Sequence, residues 1–233
     1  MAAMPLEQEI EYPTSDGQPM AETTLHREVM ADTIWTLERR YAAVSDVWVG
    51  GNLFLCYERG NPSAALAPDV LVVKGVSKWK RPNYLLWQEE APPTLIVEIT
   101  SRSTRREDLG KKKAVYEEIG AEEYILFDPY EEYLKPRLQG YRLEEGRYQA
   151  IPRAVDGSLE SRTTGLIFRP EGERLRLVDA ATGERLLWSD ELDEARQQEA
   201  AARQRAEARA ADLEERLRAM EEEVARLRGK PPA

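Results

Sequence analysis

Two carboxylates of this sequence stand in runs that otherwise favour buried β-strands. Asp69 opens the run Asp69-Val70-Leu71-Val72-Val73, and Glu98 lies within Leu95-Ile96-Val97-Glu98-Ile99. Burial favours the protonated form of an acid unless a cation or strong hydrogen-bond donors lie beside it. Such an acid is a candidate metal ligand or a tuned general acid or base. The alternative for Glu98 is a solvent-facing place on an edge strand.

A helix predicted after Glu98 can supply a positive charge. Asp108, Lys112 and Tyr116 are spaced at i, i+4 and i+8 and therefore share one helix face. Hard cations such as Mg²⁺ take oxygen ligands, usually one or two carboxylates with water and substrate phosphates. An Asp and a Glu from adjacent strands would suit that chemistry. The alternative for Asp108 and Lys112 is a surface ion pair, worth on the order of a few tenths of a kcal/mol.

Hydrophobic periodicity and turn residues predict the elements that would position these side chains. A first helix is expected over about 25–41, capped by Thr23 or Thr24. Strands are expected over 45–49, 53–57, 69–73, 94–100 and 123–127, with the turn Gly50-Gly51-Asn52 after the first and a hairpin or meander across the first three. A Thr104–Glu107 capping box would begin a helix that ends at Gly120. Strand 94–100, this helix and strand 123–127 form a parallel crossover unit.

Composition limits the classes of protein to which the chain can belong. Its 233 residues, 42% of them hydrophobic, suit one domain with an appendage. One Cys (Cys56) and one His (His26) exclude a disulfide framework and a structural zinc site built from four such ligands. No run approaches the roughly 18 to 20 apolar residues of a membrane span. The N-terminus is acidic where a signal peptide would be basic, so we expect a cytoplasmic location.

The overall charge argues against simple affinity for nucleic acid. The chain has 33 Lys and Arg against 43 Asp and Glu, a net charge of −10, whereas nucleic-acid-binding proteins usually show a basic surplus or stripe. The best local candidate is the loop 74–90, where Trp79, Tyr84 and Trp87 alternate with basic residues and could stack on bases. The alternative is that this loop folds its aromatic rings over the sheet edge.

The last forty or so residues differ in kind from the rest and predict one long helix. Within it, Leu213, Leu217, Met220, Val224 and Leu227 step by 4, 3, 4 and 3, the spacing of a coiled-coil seam. With 213, 220 and 227 at d positions, the charge pairs Arg216–Glu221 and Glu223–Arg228 would join a helix to a parallel copy. A homodimer is therefore expected, with this helix as its candidate interface. The alternative is a solvated helix that packs on its own domain.

A string of motifs runs through the chain in a fixed order. Its members are Pro68-Asp69-Val70, then Val97-Glu98-Ile99-Thr100-Ser101-Arg102-Ser103-Thr104, then Asp108, Lys112 and Tyr116, then Gly120 and Glu123-Tyr124-Ile125-Leu126-Phe127-Asp128-Pro129. With His26 at the start of the first helix, this string resembles the Uma-type putative restriction endonuclease family, of the PD-(D/E)XK nuclease-like superfamily. The similarity covers roughly 25–188.

The resemblance implies an α/β fold with a restriction-endonuclease-like mixed central sheet flanked by helices, followed by a long C-terminal helix or coiled coil. It implies a metal-dependent endonuclease that hydrolyses phosphodiester bonds of DNA. Asp69 and Glu98 would bind Mg²⁺ (or Mn²⁺), with the Ile99 carbonyl as a third oxygen ligand. Lys112 would take the role of the motif lysine, because the position two residues after Glu98 is Thr100.

Four more side chains are candidates for supporting or substrate-binding roles. Asp108 would orient Lys112 from one helical turn away, while Ser101 and Tyr116 would contact phosphate or line the pocket. His26 is either a site residue or a packing and capping residue of the first helix.

The expected organisation is a flexible arm over 1–22, a nuclease-like domain over 23–188 and a helix or coiled coil over 189–229. Two other functions are open at this point. One is a non-catalytic binding or assembly module that has kept the fold. The other is a metal-dependent hydrolase of a small phosphate ester, which the acidic composition would suit.

Overall fold

The computed structural model describes residues 11–14 and 23–229. Most of the arm predicted over 1–22 therefore lies outside the described residues. The chain divides into two compact units, Met1–Trp188 and Ser189–Ala233.

The first unit is built mainly from short strands. In chain order the described strands are β1 (Val47–Gly50), β2 (Leu55–Cys56), β3 (Ala65–Leu66), β4 (Val70–Lys74), β5 (Tyr84–Leu85), β6 (Leu95–Ile99), β7 (Glu123–Phe127), β8 (Leu138–Glu144), β9 (Arg147–Ala150), β10 (Leu159–Ser161), β11 (Leu166–Glu171) and β12 (Arg174–Asp179). The described helices are α1 (Thr24–Arg40), α2 (Leu86–Glu89), α3 (Arg105–Glu107), a π-helical turn (Asp108–Lys112), α4 (Lys113–Glu118) and α5 (Ser189–Arg228).

The central sheet has six strands in the order β1-β4-β6-β7-β8-β9. Its one parallel pair joins β6 to β7 through the α3, π-turn and α4 segment, as the crossover pattern predicts. The other neighbouring pairs are antiparallel, so the sheet is mixed. The predicted α/β class, with a mixed sheet and a long C-terminal helix, is confirmed.

Both faces of the central sheet are covered, which explains why every residue of β6 and β7 is buried. One face packs on α1 and on the small sheet β10-β11-β12, through residues such as Val97, Ile99 and Phe168. The other face packs on α4 and on the small sheet β3-β2-β5, through residues such as Ile96 and Tyr116. A strand covered on both sides has no solvent face, so polar residues within it must find partners inside the protein.

Of the hairpin or meander predicted between 45 and 73, the structure has an antiparallel β2–β3 pair but no β1–β2 hairpin at Gly50-Gly51-Asn52. β1 pairs with β4, whereas β2 leaves the central sheet and pairs with β3 and β5. The reason is tertiary, because the backbone of this turn packs against the segment that precedes β4, where the Asn52 N–H donates to the Pro68 carbonyl at 2.9 Å.

The aromatic and basic loop 74–90 folds onto the protein, as the second of the two alternatives for this loop predicts. Tyr84 is fully buried. The Arg81 guanidinium pairs with Glu89 and stacks over the rings of Trp48 and Trp79, while Lys78 Nζ donates to the Tyr41 carbonyl. Trp79, at 52% exposure, is the member of the aromatic set that stays open to solvent.

The second unit contains α5, a single helix of 40 residues that begins at Ser189. None of its residues is buried. Across the described part of the chain, no helix combines the length and the apolar character needed to cross a membrane.

Candidate active site

Asp69 lies at the point where the chain enters β4, next to the end of β6. Its Oδ2 accepts a hydrogen bond from the Ile99 N–H at 2.7 Å, and its Oδ1 lies 3.3 Å from His26 Nε2. Strand pairing explains the first contact, because antiparallel register sets Val70 opposite Val97 and carries Asp69 alongside the next residues of β6. The Asp69 side chain is 14% exposed, so this carboxylate is fixed in orientation and still reaches solvent.

The backbone of Gly51 packs closely against the backbone of Asp69. A Cβ atom at this position would lie 2.0 Å from the Asp69 carbonyl oxygen and 2.8 Å from Ile34 Cδ1. Only a residue without a side chain allows the two backbones to approach this closely. Gly51 is therefore a positioning residue, whereas the sequence alone indicates an ordinary turn glycine. The pair of glycines directly after an apolar strand is the sequence feature that marks this position.

Glu98 is buried in the centre of the sheet, at 1% exposure, which rules out the solvent-facing edge position. Alternation along β6 sends Val97 and Ile99 to the α1 face and Ile96 to the α4 face. Glu98 shares the α4 face with Ile96, since successive side chains of a strand point to opposite sides. The sequence of β6 therefore aims this carboxylate at the helix that follows it.

The helix after β6 brings two donors to Glu98. Lys112 Nζ lies 2.9 Å from Glu98 Oε2, and the Tyr116 hydroxyl donates to Oε1 at 2.8 Å. Lys112 Nζ also lies 3.2 Å from Asp108 Oδ1. The three residues predicted to share one helix face thus converge on a single buried carboxylate.

The segment Asp108–Lys112 is a π-helical turn, where the sequence predicts continuous α-helix. A π turn accommodates one extra residue per turn and is common at functional sites. Tyr124, on β7, donates its hydroxyl to the Asp108 carbonyl at 3.0 Å and so anchors this turn. Tyr124 was not predicted, yet its place in a buried strand, two residues before the partner of Glu98, is a signal that could have found it.

The predicted capping box Thr104–Glu107 is also wrong. Thr104 adopts helical backbone angles and makes no side-chain cap to α3. Instead Ser101 begins the helical turns: its N–H donates to Thr104 Oγ1 at 3.0 Å, and its Oγ accepts from the Thr104 N–H at 3.3 Å. This is the same reciprocal arrangement shifted by three residues, with threonine in the place of glutamate. Ser101, a candidate phosphate contact, therefore caps the helix.

Burial and mutual repulsion set the charges of the cluster. Burial raises the pKa of the Glu98 carboxyl well above its ordinary value; Lys112 opposes this rise, while Asp69 and Asp108 add to it. Burial likewise raises the pKa of Asp108, again against Lys112. Burial by itself would lower the pKa of Lys112, but Glu98, Asp108 and Asp69 raise it above its ordinary value, so the ammonium group stays charged.

Acidic residues outnumber the lysine in the described cluster. The carboxyl groups of Glu98 and Asp108 contact the Lys112 ammonium group, and that of Asp69 is near enough to help raise its pKa. The carboxyl group of Asp108 is held by its ion pair with Lys112 and by the Thr104 hydroxyl, and both oppose the rise of its pKa. His26 is 5% exposed, and its backbone N–H is capped by Thr23 Oγ1 at 3.2 Å. Its imidazole ring contacts Asp69 through Nε2.

The chain is a mixed α/β protein in which a lysine lies between an acid of β6 and an acid of the helical segment that follows it. A family model described as Uma2, putative restriction endonuclease, matches residues 1–180. The match spans most of the 233 residues, and the chain belongs to this family, as its motif order predicts.

One solved structure similar to the chain is that of a putative nuclease belonging to DUF820 from Anabaena variabilis ATCC 29413. The sequence identity is 13% and the TM-score 0.46, over 61% of this chain and 75% of that chain. A comparison with curated proteins finds no match.

Proposed function

We propose that the chain is a metal-dependent endonuclease that hydrolyses phosphodiester bonds of DNA, with Mg²⁺ or Mn²⁺ as its cation. The observation that carries this proposal is the contact of the Lys112 ammonium group with the buried carboxyl group of Glu98, on the strand next to the partly exposed Asp69. Burying two acids beside one lysine adds little stability, because the desolvation of buried charges offsets most of their mutual attraction. A site that handles phosphate and a cation gives this arrangement a purpose.

The donor set fits a hard divalent cation. Asp69 and Glu98 would hold it through carboxylate oxygens, with the Ile99 carbonyl as the third oxygen ligand. Within residues 11–14 and 23–229, no group of three or more His, Cys, Asp and Glu side chains is placed to hold a metal ion. Water and substrate phosphate would therefore have to supply the remaining ligands, as is usual for Mg²⁺. When bound, such an ion polarises a phosphoryl oxygen and lowers the pKa of a water ligand.

The residues of the chain itself contribute orientation and charge. The Ile99 N–H and His26 fix the two oxygens of Asp69, and Tyr116 and Lys112 fix those of Glu98. Lys112 keeps its proton, so it acts as a fixed positive charge that stabilises the negative charge developing on the phosphoryl oxygens. Its side chain is 10% exposed and Asp69 is 14% exposed. Substrate would approach from the side of these two residues.

Four exposed arginines supply candidate phosphate contacts despite the net acidity. They lie next to site residues in the sequence and form no ion pair with any residue that the structure describes. We call this set the basic edge: Arg27, Arg102, Arg105 and Arg106. Guanidinium groups bind phosphate oxygens in bidentate geometry, and contacts of this kind position DNA without reading its sequence.

The test is cleavage of supercoiled plasmid and of single-stranded DNA with Mg²⁺, Mn²⁺ or EDTA. We expect metal-dependent cutting by the wild type and a loss of about 100-fold or more in Asp69→Asn and Lys112→Met, the scale of removing one charge-stabilising group. Lys111→Met is the matched control, since Lys111 is exposed and adjacent. Asp69→Asn keeps a side chain of the same shape at a partly exposed position, so its loss of activity would not reflect unfolding.

Two outcomes would contradict the proposal. Cutting that persists in both site variants would belong to a contaminant. Absence of cutting by the folded wild type with either cation would reject DNA hydrolysis, and bis(p-nitrophenyl) phosphate would then test the hydrolase of small phosphate esters. Failure on both substrates would favour the non-catalytic assembly module.

A further inference from the structure

The C-terminal helix α5 carries an apolar stripe that is open along its whole length. Leu213, Leu217, Met220, Val224 and Leu227 are 46% to 66% exposed. Soluble proteins rarely leave a continuous row of large aliphatic side chains uncovered. The stripe is therefore a surface made to be covered, and its 4-3-4-3 spacing is the spacing of a coiled-coil seam.

The charges that flank the stripe are complementary to the same helix in a second copy. With Leu213 at d, the g positions are Arg209, Arg216 and Glu223, and the e positions five residues later are Glu214, Glu221 and Arg228. In a parallel pair each g residue meets the e residue of the following heptad on the partner helix. All three g–e pairs then join opposite charges, and each occurs twice by symmetry.

The same charges favour the parallel arrangement over the antiparallel one. Antiparallel helices bring e beside e and g beside g, so repulsion between Glu214 and Glu221 would offset the attraction between Arg216 and Glu223. Within one helix, Arg216 lies 3.8 Å from Asp212 and Glu223 lies 2.7 Å from Arg226. These partners are exposed and such pairs are weak, so they do not compete strongly with pairing across an interface.

We propose that α5 joins two copies of this chain as a parallel, in-register two-stranded coiled coil over 206–228. The occupant is a second copy because the pattern is self-complementary, which is what a two-fold symmetric interface requires. The seam starts at Ala206, because the preceding a position is Arg203. The proposal goes beyond phosphodiester hydrolysis and holds or fails independently of it.

Sedimentation velocity of the full-length protein, without DNA or metal, measures the association. We expect a dimer for the wild type and a monomer for Leu217→Glu, which places a charge at the centre of the seam. Ala208→Glu, at an f position on the outer face, is the matched control and should remain a dimer. A monomeric wild type at tens of micromolar, or equal dissociation of both variants, would overturn the proposal.

Orientation is tested by a single added cysteine. Leu213→Cys should form a disulfide-linked dimer on mild oxidation, because parallel in-register helices hold the two copies of residue 213 face to face. Ala211→Cys, on the outer face, should not, and the native Cys56 does not interfere because it is fully buried. An antiparallel pair would hold the two copies of residue 213 far apart. Failure to cross-link, or equal cross-linking of the two variants, would exclude the parallel pair.

A charge swap tests the g–e contacts directly. Arg216→Glu should weaken the dimer about threefold or more, because it replaces two attractive contacts with two repulsive ones. Adding Glu221→Arg in the same chain should restore the dissociation constant, since the contacts become attractive again. A double variant as weak as Arg216→Glu would contradict the assigned register. These measurements need no nuclease activity, so they distinguish a failure of dimerisation from a failure of the proposed catalysis.

Discussion

Lys112 is the only cation in contact with two buried acids of the described site, and replacing it should destabilise the fold in a pH-dependent way. In Lys112→Met the methionine fills a similar volume, so the change removes the charge and little packing. Lys112 Nζ lies 2.9 Å from Glu98 and 3.2 Å from Asp108. At an effective dielectric constant of about 20, each contact corresponds to about 5 kcal/mol of gross attraction, most of it offset by desolvation.

The expected cost is therefore that of a buried ion pair broken on one side, about 3 to 5 kcal/mol at neutral pH. Both acids are 1% exposed as side chains, so water can hydrate the stranded charges only after some opening of the site. Lys111→Met, at an exposed neighbouring position, should change the free energy of unfolding by less than about 0.5 kcal/mol.

The cost should shrink as the pH falls. Burial already raises the pKa of Glu98 and of Asp108, and losing the ammonium group raises both further. An acid whose pKa is higher in the folded than in the unfolded state binds more protons when folded, so stability falls as pH rises from its ordinary pKa to its raised one. The gap between wild type and variant should therefore be widest near pH 8 and narrower near pH 5.

Urea unfolding followed by tryptophan fluorescence, in EDTA and at several pH values, measures this gap. The double variant Glu98→Gln/Lys112→Met should recover at least half of the loss, because it removes one stranded charge. The reasoning is refuted if Lys112→Met costs under about 1 kcal/mol at every pH, or if the double variant is no more stable than the single one.

Three further predictions concern the supports of the site and of the fold. Gly51→Ala should cut metal-dependent DNA cleavage about 10-fold and cost about 1 to 3 kcal/mol in urea unfolding, because its Cβ would lie 2.0 Å from the Asp69 carbonyl oxygen. Gly110→Ala, which meets no atom within 4 Å, should cost nothing, and a matching loss would contradict the steric argument. Tyr116→Phe removes one hydrogen bond to a buried carboxylate, and should lower stability by about 1.5 to 3 kcal/mol in the same assay; an unchanged midpoint would show that this bond has no net value. The pKa of Glu117 is lowered by the Tyr148 backbone N–H and by Arg147, so Glu117 stabilises the fold above the ordinary glutamate pKa and this stabilisation is lost as the pH falls through the lowered pKa. In Glu117→Gln the melting temperature, measured by circular dichroism, should therefore fall less between pH 5 and about 3 than in the wild type. An equal fall in both proteins would exclude this role.

The strand and helix content near the site was predictable because it depends on local pattern. The run 123–127 is the strand β7 to the residue, and the first helix begins at its predicted threonine cap. Gly120 ends the crossover helix with φ +81°, a conformation that glycine adopts without strain. Alternation in β6 likewise places Glu98 on the face opposite Val97 and Ile99. These features need only neighbours in sequence.

Features that depend on partners distant in sequence were not predictable. No hairpin joins β1 to β2 at Gly50-Gly51, because the Gly51 backbone packs against Asp69, eighteen residues later along the chain. The capping box moved to Ser101 because the exit from β6 decides where the helix begins. The π turn at Asp108–Lys112 is held by Tyr124 from the neighbouring strand.

The sequence by itself therefore determined which residue types could do chemistry, the family, and the mixed α/β class, because motif order and periodicity are written along the chain. Only the tertiary structure decided that the Lys112 ammonium group meets Glu98, since that contact joins a strand to a π-helical turn. It also decided that Glu98 is buried and that Lys78 and Arg81, in the loop 74–90, bind groups of the protein itself. Side-chain distance and burial arise from packing between segments far apart in sequence, and no local pattern encodes them.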